Sequence, residues 1–287
     1  MKNMIEVKSL IKHYGDNEVL KGISFEVQRG EIFALLGTNG AGKTTTFECI
    51  EGIRKYQSGD IKVNGKTGVQ LQSSSLPQHL RAHEAVRLFA KWSGAAVDNG
   101  FLERLGFEEI KNKAYKDMST GQKRRLHLVL AMTGNPEIMF LDEPTAGLDV
   151  EGRAALHEEI RALKAQGKTV VLASHDMAEV ESLCDRIAIL KDGHIAFIGT
   201  AGELTQQMSD TFKVMIALSS PIPNNGFRHC VFTGASQGYD TFETGSLEDG
   251  LAELLAAAKA SGAHVRDLKL EHASLEQRFL DIAKEGK

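Results

Sequence analysis

An α/β fold, with a parallel sheet flanked by helices, is what this 287-residue sequence predicts. Three observations carry the prediction. Ile32-Phe33-Ala34-Leu35-Leu36 is a continuous apolar run, the pattern of a strand buried on both faces. Strand-like and helix-like segments alternate from Ile138 to Ile198. Between these regions, residues 73–135 take on helical periodicity, as an insertion between two strands of one sheet would.

The elements follow in order. Ile5 and Val7 alternate with polar neighbours, as do Ile23, Phe25 and Val27, so residues 4–65 begin as short half-buried strands. The apolar run at 32–36 leads into a glycine-rich turn and a helical stretch ending near Ile50. Ile61-Lys62-Val63 reads as a strand closed by a hairpin-type Asn64-Gly65 turn. In the insertion, His83–Trp92 puts Val86, Phe89 and Ala90 on one helical face, and Phe101–Leu105 is a second helical piece. Then come a strand at Ile138–Leu141, a helix at Val150–Gln166 stopped by Gly167, and a strand at Thr169–Ala173. A helix at Met177–Leu183 and a strand at Arg186–Leu190 follow, and Asp192-Gly193 turns the chain into His194–Ile198. The texture changes near residue 210. Three short strands, a helix at Leu247–Lys259, a strand near Val265–Leu270 and a helix at Leu275–Ala283 form a small α/β appendage. From residue 215 on there are 7 basic and 10 acidic residues, so most of the net charge sits there.

Composition sets limits on function. Lys and Arg total 34 against 38 Asp and Glu, a net charge of −4, which excludes a strongly basic nucleic-acid binder. The one basic run, Lys123-Arg124-Arg125, reads as a solvated helix face. Cys49, Cys184 and Cys230 are odd in number and far apart, which argues against a disulfide framework and for a reducing compartment. No apolar run approaches the roughly 18–20 residues of a membrane span. The first fifteen residues hold no apolar signal region. The expected compartment is the cytoplasm, and any passage through a membrane must be supplied by another chain.

Chemistry concentrates at three places. Gly37-Thr38-Asn39-Gly40-Ala41-Gly42-Lys43-Thr44 fits the phosphate-loop pattern GxxxxGK[ST], with a strand before it and a helix after. Such a loop points backbone N–H groups at phosphate oxygens, and the helix adds its positive end. Lys43 is placed to reach the outer phosphates and Thr44 to ligate Mg²⁺. Ile138–Leu141 ends in Asp142-Glu143. On a strand parallel to the first, Asp142 arrives at the sheet edge where ligands bind and can hold Mg²⁺. Glu143 can polarise a water for in-line attack on the γ-phosphate. Ser119-Thr120-Gly121-Gln122, before the apolar positions Leu126, Val129 and Leu130, is a helix capping box.

In this order, with Ala146-Gly147-Leu148-Asp149 after the acidic pair and His175 after the next strand, residues 4–210 closely resemble ABC-type ATPases. The resemblance implies a P-loop NTPase (RecA-like) core with an antiparallel β subdomain. A helical subdomain is inserted at about 73–135, and the small α/β appendage follows. The implied division is an ATPase domain at 1–212 and an accessory domain at 213–287. ATP contacts fall on Gly37 through Thr44 and on Thr45, with Tyr14 as the aromatic that stacks on adenine. Gln72 matches the glutamine that senses Mg²⁺ and links the core to the helical subdomain, with Gln70 as a competing assignment. His175 matches the histidine that holds the γ-phosphate, the attacking water and Glu143 in register. Ser119, Gly121 and Gln122 match the signature peptide, which faces the ATP of a second copy in a head-to-tail dimer. Asp149 matches a dimer-contacting aspartate and equally suits a helix N-cap. One departure is Met118-Ser119-Thr120-Gly121-Gln122, where the family usually has Leu-Ser-Gly-Gly-Gln.

The implied function is ATP hydrolysis powering transport by separate membrane permease subunits, at the inner face of the cell membrane. A single uninterrupted cassette without a heptad run disfavours a soluble ATPase acting on nucleic acid or ribosomes, and no nucleic acid is expected as partner. Ala273-Ser-Leu-Glu-Gln-Arg-Phe-Leu resembles the ending of ATPases that serve drug, lipid or polysaccharide exporters. Export is therefore expected over import or ion extrusion.

Overall fold

The computed structural model describes residues 3–70, 75–95, 98–206, 212–223, 225–272 and 279. The chain divides into two compact units, Met1–Thr200 and Ala201–Lys287.

The first unit opens with two long strands, β1 (Asn3–Tyr14) and β2 (Asn17–Gln28), paired antiparallel. Next come β3 (Ile32–Leu36), α1 (Lys43–Ile50), β4 (Ser58–Val63) and β5 (Thr67–Gln70). The helical insertion carries α2 (Ala82–Ser93), α3 (Asn99–Arg104), α4 (Phe107–Ile110) and α5 (Thr120–Ala131). The chain returns through β6 (Ile138–Asp142), α6 (Val150–Ala165), β7 (Thr169–Ser174), α7 (Met177–Leu183), β8 (Arg186–Lys191) and β9 (His194–Gly199).

β2, β1 and β4 form an antiparallel sheet, while the larger sheet runs β5-β6-β7-β3-β8-β9. All its neighbours are parallel except β8 and β9, which form the hairpin that Asp192-Gly193 turns. Every residue of β3, β6 and β7 is buried, as an apolar strand covered on both faces requires. A shared core lies between the sheets. Phe25 stacks on Phe33, and Phe47 of α1 meets Phe140 of β6 edge to face. That contact seats α1 across the sheet.

One turn differs from expectation. Asn64-Gly65 closes no hairpin, because β4 pairs with β1 while β5 pairs with β6 in the other sheet. The Asn64 side chain donates to the carbonyl of Asn3, and its backbone N–H donates to that of Met4. A pairing available across the sheet outcompetes the local turn.

The second unit holds α8 (Ala201–Gln206), β10 (Phe212–Leu218), β11 (Cys230–Ser236), β12 (Tyr239–Thr244), α9 (Leu247–Ala260) and β13 (Val265–His272). Its antiparallel sheet runs β11-β12-β10-β13. Val214, Ile216, Phe242, Leu254 and Ala258 make its core. The helix predicted at Leu275–Ala283 lies outside the described residues apart from Phe279, which is helical and buried.

Candidate functional site

The loop between β3 and α1 is shaped by glycine. Gly42 is the N-cap of α1 at φ 108°, and no side chain caps that helix end. A Cβ on Gly37 would stand 2.6 Å from the carbonyl oxygen of Leu190, so only glycine fits there. Thr38, Asn39 and Gly40 are exposed, and the N–H of Ala41 donates to the carbonyl of Thr38 at 3.1 Å. The buried Lys43 ammonium donates to the carbonyl of Gly37 at 2.7 Å. Burial lowers its proton affinity, against the pull of Glu143 and Asp142. Thr45 follows on the first turn of α1.

Opposite this loop, β6 delivers its two carboxylates. The Thr44 hydroxyl donates to Asp142 Oδ2 at 3.3 Å. Burial raises the Asp142 pKa, the Thr44 bond opposes that, and Glu143 adds to it. Glu143 sits at φ 49°, a left-handed conformation that is strained for a side chain of this kind, and its N–H donates to the carbonyl of Ala173. Its buried carboxylate lies 2.7 Å from His175 Nδ1. The histidine side chain is 66% exposed, so it stands at the surface with the carboxylate beneath it. β7 ends at Ser174 and thus carries His175 to this point.

The Ser119–Gln122 segment lies elsewhere in the unit. Ser119 Oγ accepts the N–H of Gln122 at 3.3 Å and Gln122 Oε1 accepts the N–H of Ser119 at 3.2 Å, so the predicted capping box forms. Gly121 is the second residue of the same helix. Asp149 caps α6, its Oδ1 accepting the N–H of Gly152 at 2.9 Å. A cavity of about 700 Å³ separates these helix starts, lined among others by Gln70, Ser119, Gly121, Arg124, Leu148 and Asp149. The methyl of Thr120 lies 3.2 Å from where a Cβ on Gly147 would stand, so this side chain packs toward its own chain's Ala146–Asp149 segment.

The structure therefore joins Lys43, Thr44, Asp142, Glu143 and His175. Among the described residues, no hydrogen bond or ion pair joins Ser119, Gly121, Gln122 or Asp149 to them. Tyr14, at the end of β1, is flanked by Lys12 Nζ at 4.8 Å from its ring centre and the Arg54 guanidinium at 5.2 Å. Gln72 lies outside the described residues. Gln70 is buried, and its Oε1 has no hydrogen-bond partner. Lys123 sits 5.0 Å over the ring of Tyr115, and Arg125 reaches Glu109 and the carbonyl of Leu105, so part of the basic run is engaged in the helical insertion.

Sequence reasoning passed over the polar groups beneath His175. Ser174, Thr145 and Glu179 are buried, the Ser174 hydroxyl donates to Glu179, and nothing in their local pattern separates them from strand-end and helix residues of ordinary kind.

A family profile described as ABC transporter matches residues 20–146. Linearmycin resistance ATP-binding protein LnrL of Bacillus subtilis (strain 168) is 32% identical, over 97% of this chain and 98% of its own length. The chain belongs to the ATP-binding subunits of ABC transporters. It is also 38% identical to Nod factor export ATP-binding protein I of Rhizobium meliloti (strain 1021), over 66% of this chain and 62% of that protein. A solved ATP-binding subunit of an ABC transporter superposes with a TM-score of 0.67 at 30% identity, over 71% of this chain and 92% of the other.

An ABC ATP-binding subunit binds and hydrolyses ATP and works with membrane permease components. Among the described residues no helix is long and apolar enough to cross a membrane.

Proposed function

We propose that this subunit powers export of a drug, lipid, peptide or polysaccharide through separate permease subunits, on the inner face of the membrane. It works as a head-to-tail pair closing on ATP and magnesium. The observation that carries the reading is Glu143 held 2.7 Å from His175, beside the Thr44–Asp142 contact and the buried Lys43.

Each group has a task that its chemistry suits. The N–H groups of the Gly37–Thr45 loop and the uncapped start of α1 hold phosphate oxygens, and Lys43 adds a full positive charge. Thr44 and Asp142 present two hard oxygen donors 3.3 Å apart, a set that fits magnesium completed by phosphate oxygens and water. When bound, that ion neutralises charge developing on the transferred phosphoryl group. Glu143 accepts a proton from the attacking water, and His175 keeps the carboxylate aimed. Gln72 senses the magnesium and links this chemistry to the helical insertion, with Gln70, at the end of β5, as the competing assignment. Tyr14 offers its ring to adenine. Ser119, Gly121 and Gln122 meet the γ-phosphate held by the second copy, with Asp149 at the same interface.

Export is favoured by likeness that runs through nearly the whole chain to a resistance protein, and by likeness to an export ATPase. The residues Ser274-Leu-Glu-Gln-Arg-Phe279 add to that support. The unit from Ala201 on is an accessory domain that regulates the ATPase or supports its dimer.

The test is Glu143→Gln, which keeps shape and removes the base. ATP affinity is expected to hold within about threefold while turnover falls on the order of a hundredfold or more. ATP-dependent efflux from vesicles containing its permease subunits is expected to stop with it. Wild-type turnover in Glu143→Gln refutes the catalytic assignment, and efflux unaffected by the substitution refutes the coupling.

A further inference from the structure

Beneath the Glu143–His175 contact lies a carboxylate that the preceding reading leaves without a task. Glu179 is on α7 with its side chain 2% exposed. A buried carboxylate persists only where donors compensate its lost hydration, so its partners identify what it holds.

The Ser174 hydroxyl donates to Glu179 Oε2 at 2.6 Å. Its one proton is thereby committed, and its lone pairs accept the N–H of Asp176 at 3.0 Å. Asp176 in turn accepts the N–H of Glu179 through Oδ1 and the Arg153 guanidinium through Oδ2. His175 is thus suspended between two residues that are both bonded to Glu179. The second loop meets the same group, because the buried Thr145 hydroxyl lies near enough to Glu179 to favour its charged form. Thr145 stands two residues beyond Glu143, on the segment that follows the strained φ of 49°. On its other side Glu179 Oε1 lies 3.5 Å from His157 Nε2 of α6, with no hydrogen bond between them.

We propose that Glu179 is a positioning residue, whose carboxylate joins the Glu143 loop and the His175 loop through Thr145 and Ser174 and so sets their 2.7 Å contact. Two hydroxyls from different loops face one carboxylate, and the Ser174 hydroxyl bonds it directly. Burial raises the affinity of this carboxyl for a proton, and the two hydroxyls and His157 oppose that. On balance the affinity stays raised, and the Ser174 hydrogen bond is the largest of the effects that oppose burial.

The inference rests on Glu143 and His175 being the hydrolytic pair, and the experiment separates the two. In the full chain, Glu179→Gln and Ser174→Ala are each compared with Glu143→Gln and His175→Ala. A carboxamide keeps the size of Glu179 but has one acceptor oxygen for two hydroxyls. Turnover at saturating ATP is expected to fall roughly tenfold in both network variants, while the KM for ATP stays within about twofold. In the doubly substituted chain the losses are expected to be well short of multiplicative, because both changes break the same bond. Three results overturn the proposal. One is wild-type turnover in Ser174→Ala and Glu179→Gln while Glu143→Gln is dead. Another is losses that multiply. The third is a fall in turnover that is matched by loss of ATP affinity and melting temperature, as a merely structural defect would give. Active Glu143→Gln and His175→Ala chains would instead remove the parent reading, and this one with it.

Discussion

Glu51, the residue that ends α1, makes the stability of the ATPase unit depend on pH. One of its carboxylate oxygens, Oε2, is buried with no hydrogen-bond partner. Burial first, then Asp142 and Glu48, raises its pKa from an ordinary 4.5 to about 7. Between those two values the folded chain holds a proton that the unfolded chain has released, so stability falls as pH rises through this window. Above about pH 7 the folded chain carries the whole burden of a half-buried charge; below about 4.5 it carries none. At about 1.4 kcal/mol per tenfold change in proton affinity the ceiling is about 3.4 kcal/mol. Solvent screening on the open side of the group reduces this to about 1–2 kcal/mol. Glu51→Gln removes the charge and keeps the shape. In urea titrations the variant is expected to exceed the wild type by about 1–2 kcal/mol at pH 8, with the difference vanishing towards pH 4.5. An equal difference at both pH values, or none at either, refutes the reasoning.

Two further outcomes follow from the site. Gly42→Ala forces a side chain into φ 108° and sets its Cβ 2.8 Å from Leu20 Cδ2; a loss of about 1–3 kcal/mol in stability and of more than about tenfold in ATP affinity is expected, read by thermal melting and nucleotide titration. Lys43→Ala and Ser119→Arg chains, each inactive alone, are expected to regain part of their hydrolysis when mixed, since one composite site of the mixed dimer carries neither lesion; mixed chains that pair and stay silent count against a site shared between copies.

Much of the site can be read from local sequence because its chemistry is local. Gly37–Thr44 needs glycine, lysine and threonine at fixed spacing, and the strand that ends in Asp142-Glu143 announces itself by its apolar run. The Ser119–Gln122 cap and the Asp192-Gly193 turn are equally short-range, and both form as their sequences suggest. What escapes the sequence is set by long-range pairing. The choice of β4 to pair with β1, which leaves Asn64-Gly65 as a link between sheets, depends on a strand more than fifty residues earlier. Glu179 escapes for a related reason. Its spacing on α7 is that of any helix glutamate, and its burial follows only from Thr145 and Ser174 arriving from other elements. The change of texture near residue 210 falls after Ala201, where the second compact unit begins, because α8, which opens that unit, has no compositional mark of its own.

The order of the larger sheet has a consequence of scale. β7 stands between β3 and β6, so the strand feeding the phosphate loop and the strand ending in Asp142 are two spacings apart instead of one. Adjacent strands would leave roughly 4.8 Å between those two edges, about the width of a single phosphoryl group. Two spacings, on the order of 9.6 Å, leave width for a phosphoryl group and an incoming water side by side. The intervening strand also ends in the middle of that gap, which is where His175 emerges. The strand order thus fixes the spacing of the phosphate loop and Asp142 and brings His175 out between them.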